Sequence, residues 1–320
     1  MANFVSVGPY GPSGNGTNIT PETWIPSYQE LLPYNSQWAQ HIQGEVDGDA
    51  LLAAGNGDTI RVNYFGNISI LHTNLTDGTF VAKDGTQASY QTSLTVYPYG
   101  QALTGNELQF FTANGDLKAT ALSSVVKNAL MHWNDRIGSA ALGAPYAFAV
   151  RGETTLTEGT TGLEGGTTYL LPYHIRNLRA NYARKGIAPF EDGFYRCIGA
   201  PGAFGAIRAQ SEWYNVGDAE TRRTGLLGYY EGVAFFEEKG PGNSLTWSTT
   251  SGTSVFMGAA GLIGDTTIGR DPNSFAMWHS SEDFPGRTLY FGWYGKYCAG
   301  LAASSGTSDA RIHLVYSKHE

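Results

Sequence analysis

Residues 114–138 read Asn114-Gly115-Asp116-Leu117-Lys118-Ala119-Thr120-Ala121-Leu122-Ser123-Ser124-Val125-Val126-Lys127-Asn128-Ala129-Leu130-Met131-His132-Trp133-Asn134-Asp135-Arg136-Ile137-Gly138. The apolar positions Leu117, Ala121, Leu122, Val125, Val126, Ala129, Leu130, Trp133 and Ile137 recur mostly at steps of three and four, the period of one helix face. Asp116 is of a type that accepts N–H bonds from a first helical turn, and Gly138 is of a type that ends a last one. The spacing predicts a helix over 116–137, roughly 30 Å long at ~1.5 Å per residue. With one apolar stripe, such a helix lies along a sheet or another helix.

On its N-terminal side, residues 58–97 read as a long β-hairpin. Ile60, Val62 and Tyr64 alternate with Arg61 and Asn63, and Tyr90, Thr92, Leu94 and Val96 alternate on the return. Two Asp-Gly turn signals, Asp77-Gly78 and Asp84-Gly85, lie between them. A two-stranded excursion of this length is marginal alone and has to pack on the body or on a neighbour. Before it, Pro9, Pro12, Pro21, Pro26 and Pro33 forbid a long helix, yet Trp24, Tyr28, Leu31, Leu32, Tyr34 and Trp38 are too apolar for a free linker. This segment is expected to be an extended arm, folded back on its own domain or laid over a neighbouring subunit.

On the C-terminal side comes a Gly/Thr-rich stretch, Gly152 to Thr168, expected to be flexible. A second helix is expected over 170–185, with Pro172 in its first turn, a stripe of Leu171, Ile175, Leu178 and Tyr182, and Gly186 at its end. Past Pro189 the chain turns Gly-rich and strand-like. Its strands are Phe194–Ile198, Val233–Phe236, Thr288–Phe291 and Arg311–Tyr316. Few helices and many strands define an α+β class.

Composition narrows the functions. Charged residues are 15% of the 320, against roughly a quarter in an average soluble domain, so much of the surface is neutral and suited to interfaces. The 42 glycines follow no collagen-like period and read as turns and bends. The net charge of −8 and the lack of Lys/Arg clusters disfavour phosphate binding; Arg222-Arg223 and Arg184-Lys185 are isolated pairs. Cys197 and Cys298 are too few for a disulfide framework and are expected to be reduced thiols. Met1-Ala2-Asn3-Phe4 begins no basic-then-apolar segment, so no signal peptide and no membrane span are expected. The Asn-x-Thr/Ser matches at Asn15, Asn18, Asn67 and Asn74 then carry no glycan.

Enzyme motifs fail one by one. His41, His72, His132, His174, His279, His313 and His319 never take metal-ligand spacing, and there is no Cys-x-x-Cys, Gly-x-Ser-x-Gly elbow or Walker loop. Gly258-Ala259-Ala260-Gly261-Leu262-Ile263-Gly264 is glycine-rich, but no helix signal follows, so a bend with close backbone packing is expected. His279-Ser280-Ser281-Glu282-Asp283 gathers catalytic residue types, but adjacent residues rarely converge on one point, and a polar turn before Pro285-Gly286 is expected. No catalytic, cofactor-binding or metal-binding residue is assigned.

The order of parts (Pro-rich arm, long hairpin, long amphipathic helix, shorter helix, Gly-rich α+β body) resembles the tailed-bacteriophage major capsid family of the Hong Kong 97 type. Four stretches carry a finer resemblance to its phage N-four-like subgroup. They are Val96-Tyr97-Pro98-Tyr99-Gly100-Gln101-Ala102 leading through Asp116 to Asp135, Tyr195 to Pro201 followed by Trp213, Gly225 to Val233, and Asp283 to Lys296 with Gly292-Trp293. Most of residues 50–320 take part.

The resemblance implies an N-terminal arm over 1–57, an extended E-loop hairpin over 58–97 and a P-domain over 98–193, holding the spine helix 116–137 and the second helix 170–185. A mainly A-domain stretch over 194–285 and return strands to the P-domain over 286–320 complete it. It implies a non-enzymatic subunit that self-assembles through hexamers and pentamers into an icosahedral shell, enclosing double-stranded DNA without sequence-specific binding. It further implies a separate scaffolding protein, a portal protein and room for a decoration protein, with assembly in the host bacterial cytoplasm and a final location in the virion capsid. Lys83, near the expected hairpin tip, is expected to be a solvated lysine rather than a cross-linking one. Two rival readings are an encapsulin-like shell, which shares the fold, and a β-rich carbohydrate-active protein.

Overall fold

A computed structural model describes residues 38–45, 59–65, 89–106, 117–160, 166–200, 202–215, 225–238, 252–264, 275–279, 288–302 and 310–318. In chain order the elements begin with β1 (Gly44–Glu45), β2 (Thr59–Phe65), β3 (Ser89–Thr95) and β4 (Tyr97–Asn106). The long helix α1 (Leu117–Leu142) is followed by β5 (Tyr146–Val150), β6 (Leu156–Thr160) and helix α2 (Pro172–Arg184). Next come β7 (Tyr195–Gly199), a single turn α3 (Gly205–Arg208), β8 (Tyr214–Asn215), β9 (Leu226–Tyr230) and β10 (Val233–Glu237). The chain closes with β11 (Gly252–Met257), β12 (Leu262–Gly264), β13 (Phe275–His279), β14 (Thr288–Tyr297), β15 (Ala299–Leu301) and β16 (Ile312–Ser317).

These elements form two compact units. Among the described residues, one holds those of Pro98–Asn134 and Thr267–Tyr297; the other holds those of Gln37–Tyr97, Asp135–Thr266 and Cys298–Glu320. The first contains a three-stranded sheet in the order β13-β14-β4. The second is built on an eight-stranded mixed sheet in the order β6-β5-β16-β11-β7-β10-β9-β8. β16 runs parallel to β5, and β10 runs parallel to β7, while β11 pairs antiparallel with both β16 and β7.

One face of the large sheet is covered by α2 and α3. Ile175, Leu178 and Tyr182 of α2, with Ala203, Phe204 and Ile207 around α3, pack on alternate residues of the strands: Phe148 and Val150, Tyr195 and Cys197, Val233 and Phe235. The period of two in the strands meets the three-and-four period of the helix, which is why those residues share one core. Pro172 opens α2 where a missing N–H costs nothing, and Gly186 closes it at φ +69, a conformation a side chain resists. In the structure α2 and β16 belong to the unit of the large sheet, because their apolar residues are buried there.

Two expectations about single elements are corrected. The long helix does not stop at Gly138, which is buried within it, but runs to Leu142. Its buried positions continue at steps of four, Ala121, Val125, Ala129, Trp133, Ile137 and Ala141, so the face extends past the glycine. A lone glycine costs only about 1 kcal/mol in a helix, and the stop comes at Gly143 just before Pro145. The Gly152–Thr168 stretch is not uniformly flexible: β6 pairs antiparallel with β5 from Tyr146↔Thr160 to Val150↔Leu156, and Arg151 N–H donates to Thr155 O at 2.9 Å across the turn. Trp38 is fully buried in the large-sheet unit, and β1 pairs with β12 there. For residues 38–45, folding back on the chain's own body is what occurs; the rest of the expected arm lies outside the described residues.

β2 and β3 pair antiparallel, with Ile60, Val62 and Tyr64 opposite Leu94, Thr92 and Tyr90. The turn signals between them, Lys83 included, lie outside the described residues.

Candidate functional site

Among the described residues, three polar clusters hold buried or partly buried titratable groups. The first lies between α2 and the β5–β6 edge of the large sheet. Tyr182 is fully buried, and its hydroxyl reaches Phe256 O at 2.9 Å and His313 Nδ1 at 2.9 Å. His313 Nε2 lies 3.3 Å from Glu158 Oε1, which also binds Lys185 Nζ; Asn181 Nδ2 donates to Glu158 Oε2 at 3.2 Å. Burial, with Lys185 nearby, drives the His313 pKa down to about 4 against the pull of Glu158. Burial tends to raise the Glu158 carboxyl, but the bond and charge of Lys185 win and hold it below its ordinary value. Tyr182 is pushed well up, chiefly by burial.

The second cluster fixes the Trp38 segment. Trp38 Nε1–H donates to the buried Glu238 at 2.6 Å, and the His41 ring meets the edge of Phe236 at 4.6 Å. Arg196, on the opposite side of β7 from Cys197, donates to Gln40 O at 2.7 Å and lies over the Phe190 ring at 4.0 Å. Burial, then Arg196, holds His41 well below the usual imidazole range.

The third cluster lies in the other unit. His132 bonds Tyr297, whose ring stacks on Tyr99 at 4.6 Å, and Trp293 Nε1–H donates to Asn128 at 2.9 Å. Beside it a cavity of about 180 Å³ is lined by Gln101, Leu103, Val125, Asn128 and Trp293 among others. No lining residue titrates near neutral pH, so the cavity offers no acid or base.

His313, Tyr182 and Cys197 are fully buried, and burial raises the Cys197 thiol, the opposite of what activates a nucleophile. His174 is a helix cap: its Nδ1 accepts from Leu171 N–H at 3.0 Å and its Nε2 meets Gly152 O at 3.1 Å. Among the described residues no three His, Cys, Asp or Glu side chains gather as a metal site. His279 ends β13 opposite Leu289, while Ser280 to Asp283, His72 and His319 lie outside the described residues. Residues 258–261 join β11 to β12, which takes up the rest of the stretch. Added Cβ atoms at Gly258, Gly261 and Gly264 would fall 2.4 Å from Ile187, 2.6 Å from Ile312 and 2.5 Å from Cys298 O, so close packing explains the glycines. Glu158 and Glu238 carried no sequence signal, since their partners are distant in the chain. Trp38 and Glu238 are 200 residues apart.

The architecture, an α+β fold, is similar to that of solved phage capsid proteins. The capsid of Ralstonia phage GP4 superposes with a TM-score of 0.62 at 12% identity, over 87% of this chain and 86% of that one. The capsid of cyanophage Pam1 gives 0.56 at 14% identity over 90% and 93%, and the head of Helicobacter pylori bacteriophage KHP40 gives 0.56 at 11% over 82% and 84%. No family model matches the chain, and no curated protein matches it.

Proposed function

We propose that the chain is the major capsid protein of a tailed phage, a structural subunit without catalytic function that assembles with itself into an icosahedral shell. The observation that carries this is the mutual coverage of the fold. The likeness spans 90% of this chain and 93% of the Pam1 capsid chain, so it takes in nearly the whole of both and not one shared piece. The low charge content supports it, because neutral polar surface is what repeated modest interfaces use. The finer readings belong to the same proposal: hexamers and pentamers, enclosure of double-stranded DNA, an N-four-like subgroup, separate scaffolding and portal proteins, a decoration protein, and assembly in a bacterial cytoplasm. The solved structures that the fold resembles are phage capsids and heads, which does not favour the encapsulin-like or carbohydrate-active readings.

The test is the size of the purified protein by sedimentation and negative-stain microscopy, alone and with a candidate scaffolding protein. Closed shells, tubes or regular rings are expected. A compact monomer under every condition overturns the proposal.

A further inference from the structure

The β9–β10 hairpin turns through Glu231 and Gly232, at φ +48 and +75. Both central residues of this tight turn are left-handed, which suits Gly, Asn or Asp and resists Glu. Nothing in the turn itself calls for a glutamate. Glu231 instead lies under two arginines of α2, 2.8 Å from Arg176 Nε and 3.8 Å from an Arg179 guanidinium nitrogen. Glu212 joins from the other side, 3.6 Å from Arg176, and receives the Tyr230 hydroxyl at 3.4 Å.

These groups face water in the isolated chain. The Arg176, Arg179 and Glu212 side chains are 55%, 51% and 66% exposed. Exposed ion pairs are worth little to a fold, so stability alone is a weak reason for a strained acidic turn beneath two arginines. Two exposed tyrosines flank the cluster. Tyr173, 44% exposed, is one helical turn before Arg176, and Tyr214, 69% exposed, pairs with Tyr229 on the sheet edge two residues from Glu212. Among the described residues only Tyr97 and Tyr294 are comparably exposed large apolar side chains. Arg and Tyr are the residue types that concentrate in interface centres, where Lys is depleted.

We infer that this surface, Tyr173, Arg176, Arg179, Glu212, Tyr214 and Glu231, is a contact between copies of this chain, with the arginines of one copy meeting the glutamates of the next. The charge balance selects the partner. Two guanidinium and two carboxylate groups make a patch with no net charge, complementary to itself. A nucleic acid or a strongly charged scaffold would call for one sign. On a chain of net charge −8, a neutral patch is also where two copies approach with least repulsion. The inference rests on the shell reading and names one of its interfaces.

A charge-swap experiment tests it. Arg176→Glu with Arg179→Glu makes the patch acidic, and Glu212→Arg with Glu231→Arg makes it basic. Each double variant should keep wild-type circular dichroism and lose at least about tenfold in self-association by sedimentation velocity, because its patch repels itself. Mixing the two should restore association. Should either double variant fail to fold, Tyr173→Ser with Tyr214→Ser, which removes no ion pair, is expected to weaken association in the same assay. Folded variants that assemble like wild type, or a mixture that does not recover, overturn the inference and leave the shell reading standing. A wild-type chain that never associates overturns both.

Discussion

His313 sits at 0% exposure among Tyr182, Glu158 and Lys185, and its environment sets a pH dependence. Its folded pKa, about 4, is below the ordinary 6.5, so between those values the unfolded chain binds the extra proton. The stability contribution is therefore complete above about pH 6.5 and is lost as pH falls towards 4. The loss should be about 2–3 kcal/mol as pH falls to 4, and the pull of Glu158 on the protonated ring is already contained in that folded value. His41 and His174, whose pKa values burial also lowers, act in the same direction. Urea midpoints at pH 7 and pH 5 should show the drop, and His313→Gln should make it smaller; an unchanged drop in the variant assigns it elsewhere. Trp38 gives a second residue-level outcome. Trp38→Phe keeps an aromatic ring but leaves Glu238 without its 2.6 Å indole bond, and should cost about 2 kcal/mol in urea denaturation. A loss below about 0.5 kcal/mol would show that the segment is held by packing alone.

At the scale of elements, two glycines separate backbone strain from close packing. Gly193 has φ +83 with nothing within 4 Å of an added Cβ, so Gly193→Ala should cost only about 1 kcal/mol of left-handed strain. Gly258 begins the turn between β11 and β12, where a Cβ would fall 2.4 Å from Ile187 Cγ2 and 3.1 Å from Ala188 O. Gly258→Ala should cost about 2–3 kcal/mol, because a buried branched side chain and a backbone carbonyl both have to shift. Calorimetric melting should rank Gly258→Ala below Gly193→Ala, and the reverse order would contradict the packing account of this loop. The cap on α2 belongs to the same scale. His174→Ala removes the acceptor for Leu171 N–H and should lower the melting midpoint by the equivalent of about 1 kcal/mol. Element boundaries were legible where a breaker agreed with burial, as at Gly186, and misread where they conflicted. Gly138 looked like a stop, yet Ala141 continues the buried line by one more step of four. The Thr- and Gly-rich β6 resembles a loop by composition and is a strand because β5 offers it a full ladder.

At the scale of the molecule, 20 basic against 28 acidic residues leave few cations to neutralise phosphates. The purified protein should leave labelled double-stranded DNA unshifted even near 50 mM salt, where counterion release would favour binding most. Strong retardation that falls steeply with added salt would show a phosphate-binding surface and contradict this. The sequence by itself determined the local and periodic features: the stripe from Leu117 to Ile137, the alternation at Ile60–Tyr64 and Tyr90–Val96, the second helix, the α+β class, and the order of parts that resembles the capsid family. These are legible because helix and strand periods are written in neighbouring residues. The tertiary structure decided which strands neighbour one another in the eight-stranded sheet, that β16 lies between β5 and β11, that Trp38 closes on Glu238, and that Arg176 and Arg179 meet Glu231 and Glu212. Those pairings join residues tens to hundreds of positions apart, and they are selected by which faces bury together, a condition that no local pattern contains.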